Sequence, residues 1–212
     1  MGVHYQIGYN LSRFLARTLF DFRVLHRERM IEEGGVILAM NHQSYLDPPL
    51  AGIACRREIY FLARKSLLTW PVIGPILPKV NVIPVDQERA DSAALKTVIK
   101  VVRGGGCTII FPEGSRTPDG ELKPAQPGLG FVVARTLAPV VPMRIYGAHA
   151  AFPRGGRPRF FTPISVVIGE PMFFTEEECK SAGRDAYQQI SDRVMTRISE
   201  LQNAPECTDG VP

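Results

Sequence analysis

Six short apolar runs recur along the chain and are separated by stretches of helical periodicity. They are "VILAM" (36–40), "IYFLA" (59–63), "VNVIPV" (80–85), "CTIIF" (107–111), "APVVPMRIYG" (138–147) and "ISVVIG" (164–169). A strand that is apolar on successive residues has no polar face to turn to water, so it must be covered on both sides. In a chain that alternates strands with helices, this means a parallel sheet with helices on each face. Between the runs lie a helix from about Tyr45, a stretch broken by Pro71, Pro75 and Pro78, "SAALKTVIKVV" and "GLGFVVARTL". A final element, "TEEECKSAGRDAYQQISDRVMTRISEL", opens with a Thr175–Glu178 capping box and repeats Tyr187, Ile190, Val194, Ile198 and Leu201 on one face. The expected class is therefore α/β, with a mainly parallel central sheet flanked by helices. At 212 residues and 45% hydrophobic content, one core suffices. We assign the globular domain to residues 31–203 and a flexible tail to 204–212, polar and containing Pro and Gly.

Residues 1–30 read as an appendage. "IGYNLSRFLARTLFDFRVLHR" sets Ile7, Leu11, Phe14, Leu15, Leu19, Phe22 and Leu25 in one helical stripe, with Arg13, Arg17, Arg23 and Arg27 opposite. Such a helix suits the plane of a bilayer interface, the reading preferred here, while a helix packed on its own domain would show the same periodicity. Phe20 and Val24 interrupt the polar side. No run reaches the ~18 uninterrupted apolar residues of a membrane span, and no signal-peptide pattern is present, so the expected protein neither spans the membrane nor is exported.

Charge narrows the partners. Twenty-five basic against 21 acidic residues give +4, too mild a balance to argue for nucleic acid. Its distribution is uneven: no Asp or Glu lies between Leu122 and Gly169, where Lys123, Arg135, Arg144, Arg154, Arg157 and Arg159 do. The loop "PRGGRPR" is either a solvated basic loop or one that faces phosphate or lipid. Cys55, Cys107, Cys179 and Cys207 have neither CxxC spacing nor a histidine at metal spacing, so free thiols and no metal are expected.

In parallel sheets, ligands bind beyond the carboxyl ends of the strands. Three polar clusters leave three strands on that edge: "NHQSYLD" after "VILAM", "DQER" after "VNVIPV", and "PEGSR" after "CTIIF". Ser44 to Asp47 forms an S-x-x-D capping box, a sufficient structural reason for Asp47. With Ser44 capping a helix, the turn that carries His42 folds back over the first helical turn, so imidazole and carboxylate can touch. A carboxylate on one ring nitrogen fixes the tautomer and leaves the other nitrogen as a general base. No G-x-S-x-G elbow or other activated nucleophile accompanies the pair. Direct attack by a substrate hydroxyl then requires an acyl donor that is already activated; a thioester serves, since a thiol leaving group has a pKa of about 8.5. In "FPEGSR", Gly114 permits close backbone approach, the following amides can form an anion nest, and Arg116 can hold a phosphate through two nitrogens. His4, His26 and His149 are read as bystanders.

Together these clusters resemble the glycerolipid acyltransferase family over roughly Val36 to Gly147, with the motifs in the family's order. "NHQSYLD" is similar to its NHx4D motif, which implies His42 as general base and Asp47 as its orienting partner. "FPEGSR" is similar to its FPEGTR-type motif, which implies that Glu113, Gly114, Ser115 and Arg116 help form the acceptor-phosphate site. "VVPM" resembles a fourth motif, in which Pro142 shapes the pocket. In "FLARKSLLTWPVIGPILPKVNVIPVDQE" the pattern departs: Arg64 takes the usual lysine position with Lys65 beside it, and Gln87 stands where arginine is expected, leaving Arg89 or Lys65 as stand-ins. The resemblance implies a glycerol-3-phosphate acyltransferase-like fold with an interfacial N-terminal helix. It also implies a peripheral enzyme on the cytoplasmic face of the membrane, acyl-CoA or acyl-carrier protein as co-substrate, no other cofactor, and a lysophospholipid acceptor such as 1-acylglycerol 3-phosphate. Glycerol 3-phosphate, another lysophospholipid or an amino-lipid are alternative acceptors. A hydrolase using the same dyad with water, and a non-catalytic lipid-binding protein, remain as rivals.

Overall fold

The computed structural model describes residues 2–71, 74–86, 92–180 and 183–203. Helix α1 (Val3–Leu19) leads into strand β1 (Phe22–Leu25), then β2 (Val36–Met40), α2 (Asp47–Ala54), β3 (Ile59–Arg64), β4 (Val82–Val85) and α3 (Ser92–Arg103). There follow β5 (Cys107–Ile110), α4 (Gly128–Thr136), β6 (Val140–Tyr146), the short α5 (Ala148–Ala151), β7 (Ile164–Ile168), α6 (Glu176–Lys180) and α7 (Arg184–Glu200). All six apolar runs form strands. The described strands make one seven-stranded sheet in the order β1-β7-β6-β2-β5-β3-β4, and every neighbouring pair is parallel except β6 with β7.

Central strand β2 shows why these runs are apolar throughout. Val36, Leu38 and Met40 pack with Ala16 of α1, Leu50 and Ile53 of α2, and Ala148 of α5. Ile37 and Ala39 point to the other side, against Val98 of α3, Leu129 of α4 and Val194 of α7. Each fully buried Ile or Leu contributes roughly 1.5–3 kcal/mol. Leu38→Ala, at a site with no exposed surface, costs about 2–5 kcal/mol.

Two expectations are corrected. The N-terminal helix stops at Leu19 rather than running on to Leu25, and Phe22–Leu25 pair with Ile164–Val167 as an edge strand. Phe20 is buried, and Phe22 and Val24 pack on the core beside it, so from Phe20 onward the apolar period is two, the period of a strand. The residues that interrupted the helical pattern were its signal. The apolar stripe of α1 faces outward, the orientation an interfacial helix needs: Ile7 is 60%, Leu11 56%, Phe14 63% and Leu15 40% exposed, whereas the buried positions are Tyr5 and Ala16. The second correction is that the C-terminal segment is two helices. The capping box forms, with Glu178 accepting from Thr175 N–H at 2.8 Å and Thr175 Oγ1 accepting from Glu178 N–H at 3.3 Å. Nonetheless α6 ends at Lys180, and Gly183, at φ 143°, starts α7. The tail 204–212, Gln87, Arg89 and Cys207 lie outside the described residues; the other three cysteines are free.

Candidate active site

Asn41, the first residue beyond β2, is buried and replaces two rungs of the sheet. Its Oδ1 accepts from the Ile145 N–H at 2.8 Å and its Nδ2 donates to the Ile145 carbonyl at 3.1 Å. The chain leaves the sheet at a fixed angle, and His42 follows. Asp47, wholly buried at the start of α2, collects the turn on one oxygen: Oδ2 accepts from Gln43 N–H at 2.5 Å and Ser44 N–H at 2.7 Å, and lies 2.7 Å from His42 Nδ1. Ionised, a carboxylate only accepts, so this contact places the proton on Nδ1 and leaves Nε2 with its lone pair. The expected capping box is half made. Asp47 reaches back to the Ser44 amide, but α2 begins at Asp47 with Leu46 as its cap. The Ser44 hydroxyl donates to the Phe152 carbonyl at 2.7 Å and accepts from Leu46 N–H at 3.1 Å.

The imidazole stacks on Phe111, the last residue of the "CTIIF" run, with centroids 4.0 Å apart and planes at 17°. Beyond it the loop after β5 clasps the loop after β2 at two points. Glu113 Oε1 accepts from His42 N–H at 2.8 Å, and Thr117 N–H donates to the His42 carbonyl at 2.9 Å. Gly114 makes the turn between them at φ 71°, where a side chain would be strained. Glu113 is turned inward. Burial pushes its carboxyl up to about 7, opposed by the amides of His42 and Lys123 that it accepts from. Its place is therefore as a brace between backbones rather than in the cleft.

Arg116 lies over Tyr45, its guanidinium carbon 3.5 Å from the ring centroid, and its Nη1 is buried without a hydrogen-bond partner among the described residues. Stacking fixes the plane of the fork, and the unsatisfied nitrogen has a stake in an incoming oxygen. Lys123 Nζ donates to the Ser115 hydroxyl at 2.6 Å and to its carbonyl at 3.1 Å, adding a second cation to this loop.

A cavity of about 630 Å³ opens among α1, α2, β3 and the turns that lead to β4. His42, Ser115, Arg116 and Arg64 line it, and the rest is largely aromatic and aliphatic, including Tyr9, Ile53, Phe61, Trp70 and Leu77. This volume suits a small lipid chain. Of the residues anticipated for the site, His42, Ser115, Arg116 and Arg64 share the cavity, and Asp47 joins it through His42. Glu113, Gly114 and Lys65 do not line it. Neither does Pro142, which sits in β6 with its carbonyl accepting from Gly169 N–H. His149 Nε2 lies 3.2 Å from the Pro118 carbonyl. Sequence reasoning missed Tyr45, Phe111 and Lys123 as site residues. The first two had a signal in their position inside or beside a motif, and Lys123 had one as the only cation between Arg116 and Arg135.

Known proteins share this arrangement. A family model described as Acyltransferase matches residues 21–146, more than half of the chain. A 1-acyl-sn-glycerol-3-phosphate acyltransferase of Bacillus subtilis is 27% identical over 94% of this chain and 97% of its own length. A chloroplast 1-acyl-sn-glycerol-3-phosphate acyltransferase of Brassica napus is 29% identical over 79% of this chain, which spans only 46% of that longer protein. The crystal structure of the 1-acyl-sn-glycerophosphate acyltransferase PlsC from Thermotoga maritima superposes with a TM-score of 0.70 at 25% identity, covering 94% of this chain and 81% of that one. By the family model's match over most of its strands and by its sheet, this chain belongs to the acyltransferase family.

Proposed function

We propose that the protein transfers a fatty acyl group from a thioester donor, acyl-CoA or acyl-carrier protein, to the sn-2 hydroxyl of 1-acylglycerol 3-phosphate, giving phosphatidic acid. The observation that carries this reading is that His42 and Arg116 line one apolar cavity, so a base and an anion holder are available to the same molecule. The names of the relatives from Bacillus and Brassica support the acceptor.

In this mechanism the acceptor phosphate lies against Arg116, with Arg64 as a further cation, and its acyl chain occupies the apolar wall. Charge-assisted hydrogen bonds to the phosphate contribute roughly 1.5–3 kcal/mol each. His42 Nε2 takes the proton of the sn-2 hydroxyl as the oxygen attacks the thioester carbonyl. Asp47 steadies the imidazolium through Nδ1. When the tetrahedral intermediate collapses, the carbon–sulfur bond breaks, and the departing sulfur takes the proton from Nε2. The imidazole is neutral again, and no metal or further cofactor takes part.

The same reading makes this a peripheral enzyme on the cytoplasmic face of the membrane, where thioester donors are found. Helix α1 supports it from both sides: Tyr5, Gly8, Tyr9 and Ser12 line the cavity, and Ile7, Leu11, Phe14 and Leu15 are exposed. With that stripe in the bilayer interface, the cavity lies where lysolipid is. Among the described residues no helix is long and apolar enough to cross a membrane.

Purified protein with radiolabelled acyl-CoA and a panel of lysolipids tests the reaction. Label in phosphatidic acid, lost in His42→Ala, is the expected result. Free fatty acid released without dependence on lysolipid makes it a hydrolase, and saturable lipid binding without turnover makes it a binding protein.

A further inference from the structure

The loop between α5 and β7 contains "PRGGRPRFF", residues 153–161. Its two aromatics do little for the core: Phe160 is 54% exposed and Phe161 78%. Phe161 also holds the left-handed backbone, φ 61°, which is an outlier for a bulky residue. A position that combines strain with an exposed ring is not explained by folding, and such outliers concentrate where they serve a function.

Position supplies the next step. Phe161 N–H donates to the Leu19 carbonyl at 2.6 Å, and the Phe160 ring lies 6.1 Å from that of Phe20. Both contacts fasten the loop to the C-terminal end of α1, about one turn beyond Phe14 and Leu15, which close the helix's exposed stripe. An apolar surface that begins on the helix thus continues on a loop far away in sequence.

Charge identifies the occupant. Arg154, Arg157 and Arg159 are exposed, and among the described residues their side chains form no ion pair or hydrogen bond. No carboxylate occurs in the chain from Leu122 to Gly169 to neutralise them locally. Aromatic rings beside unneutralised arginines are what the headgroup region of an anionic bilayer accommodates, with rings at the interface and guanidinium groups on lipid phosphates.

We propose that loop 153–161 is a second membrane contact, which seats Phe160 and Phe161 at headgroup depth and uses Arg154, Arg157 and Arg159 to select anionic lipid. It extends the reading of α1 as an interfacial helix and is independent of the acyl-transfer chemistry.

Flotation of the full chain with phosphatidylcholine vesicles, and with vesicles that also contain phosphatidylglycerol, tests it without any turnover. The wild-type protein should favour the anionic vesicles. The triple change Arg154→Gln, Arg157→Gln, Arg159→Gln should lower partitioning to them by roughly 100-fold, about fivefold per arginine, and leave phosphatidylcholine binding nearly unchanged. The pair Phe160→Ser with Phe161→Asn, the latter chosen because Asn tolerates this backbone, should weaken binding to both vesicle types. Melting temperatures should match the wild type, since the altered side chains are exposed. Leu11→Ser with Phe14→Ser reports on α1 alone: undiminished flotation of that variant removes the helix reading and leaves the loop standing. The loop proposal is overturned by equal wild-type binding to both vesicles, by loop variants that float like the wild type, or by a large drop in their melting temperature.

Discussion

The corner between β2 and α2 buries polar groups, whereas α1 exposes apolar ones. At the corner, a carboxylate with no exposed surface is held by two backbone amides and an imidazole, and the imidazole is spent on that carboxylate at one nitrogen only. In α1, phenylalanine and leucine face out while a serine, a glycine and two tyrosines face the cavity. Both arrangements cost stability in water: the first removes a charged group from solvent, and the second leaves apolar area hydrated. The first cost is offset in part by the hydrogen bonds on Asp47 Oδ2, while Oδ1 is buried with no partner among the described residues. The second is not offset among the described residues, and the membrane contact proposed above would offset it. Under the proposed function, that difference separates a site for chemistry from a surface that meets lipid.

Removing the base should have the largest effect. His42→Ala is expected to lower kcat by about 10²–10⁴-fold with little change in melting temperature, because among the described residues the ring bonds only Asp47 and stacks on Phe111. Asp47→Ala should lose as much activity and also stability. It strands the amides of Gln43 and Ser44 in a buried turn, a loss of about 1–3 kcal/mol each by chemical denaturation. Equal stability losses for the two variants would contradict the division of labour between base and brace.

Changes in α1 should reverse that pattern. Burial of a charge at Ala16, with Ala16→Arg, should lower the melting temperature, because that side faces the core. A polar residue at Leu11 should leave it unchanged or raise it slightly. A destabilised Leu11→Ser would mean that the stripe is covered by the protein itself.

Tyr45 sharpens the cleft side of the comparison. Tyr45→Leu removes the platform under Arg116 and should raise acceptor KM by about 2- to 30-fold with kcat nearly kept, the range of a cation–π contact of ~0.5–2 kcal/mol; Tyr45→Phe should restore it. A kcat loss without a KM change would place Tyr45 in the chemical step instead.

The last effect concerns Glu113 and bears on stability rather than turnover. Its folded pKa of about 7 exceeds the unfolded value of about 4.3, so the folded state binds the proton more tightly. The stability this adds is complete below about pH 4.3 and is lost as pH rises through about 7. Glu113→Gln should flatten that decline by on the order of 2–3 kcal/mol, read by denaturation across this window. An unaltered pH slope in the variant would remove burial as the cause.

Much of this was legible in the sequence because it is local. Continuous apolar runs located every strand from β2 to β7, and the five-residue spacing of His42 and Asp47 implied their contact because one tight turn joins them. What was not legible depends on distant partners. "FDFRVL" alternates with the period of a strand, but it directly continues a helical stripe, and its pairing with β7, about 140 residues away, is what fixes it as an edge strand. Periodicity located the apolar stripe of α1 but carries no sign, so it could not tell inward from outward. Glu113 carries the same letter in its motif whether it faces the ligand or the backbone. Closure of the loop over His42 decides that, and it decides for the backbone.

A crystal structure of the protein soaked with 1-acylglycerol 3-phosphate tests the central claim most directly. The account predicts phosphate oxygens on Arg116, Nη1 included, and the sn-2 hydroxyl about 2.6–3.2 Å from His42 Nε2 in the same cavity. A lysolipid bound with its phosphate on Arg116 but its hydroxyl out of reach of His42, or seated in another cleft altogether, would contradict it.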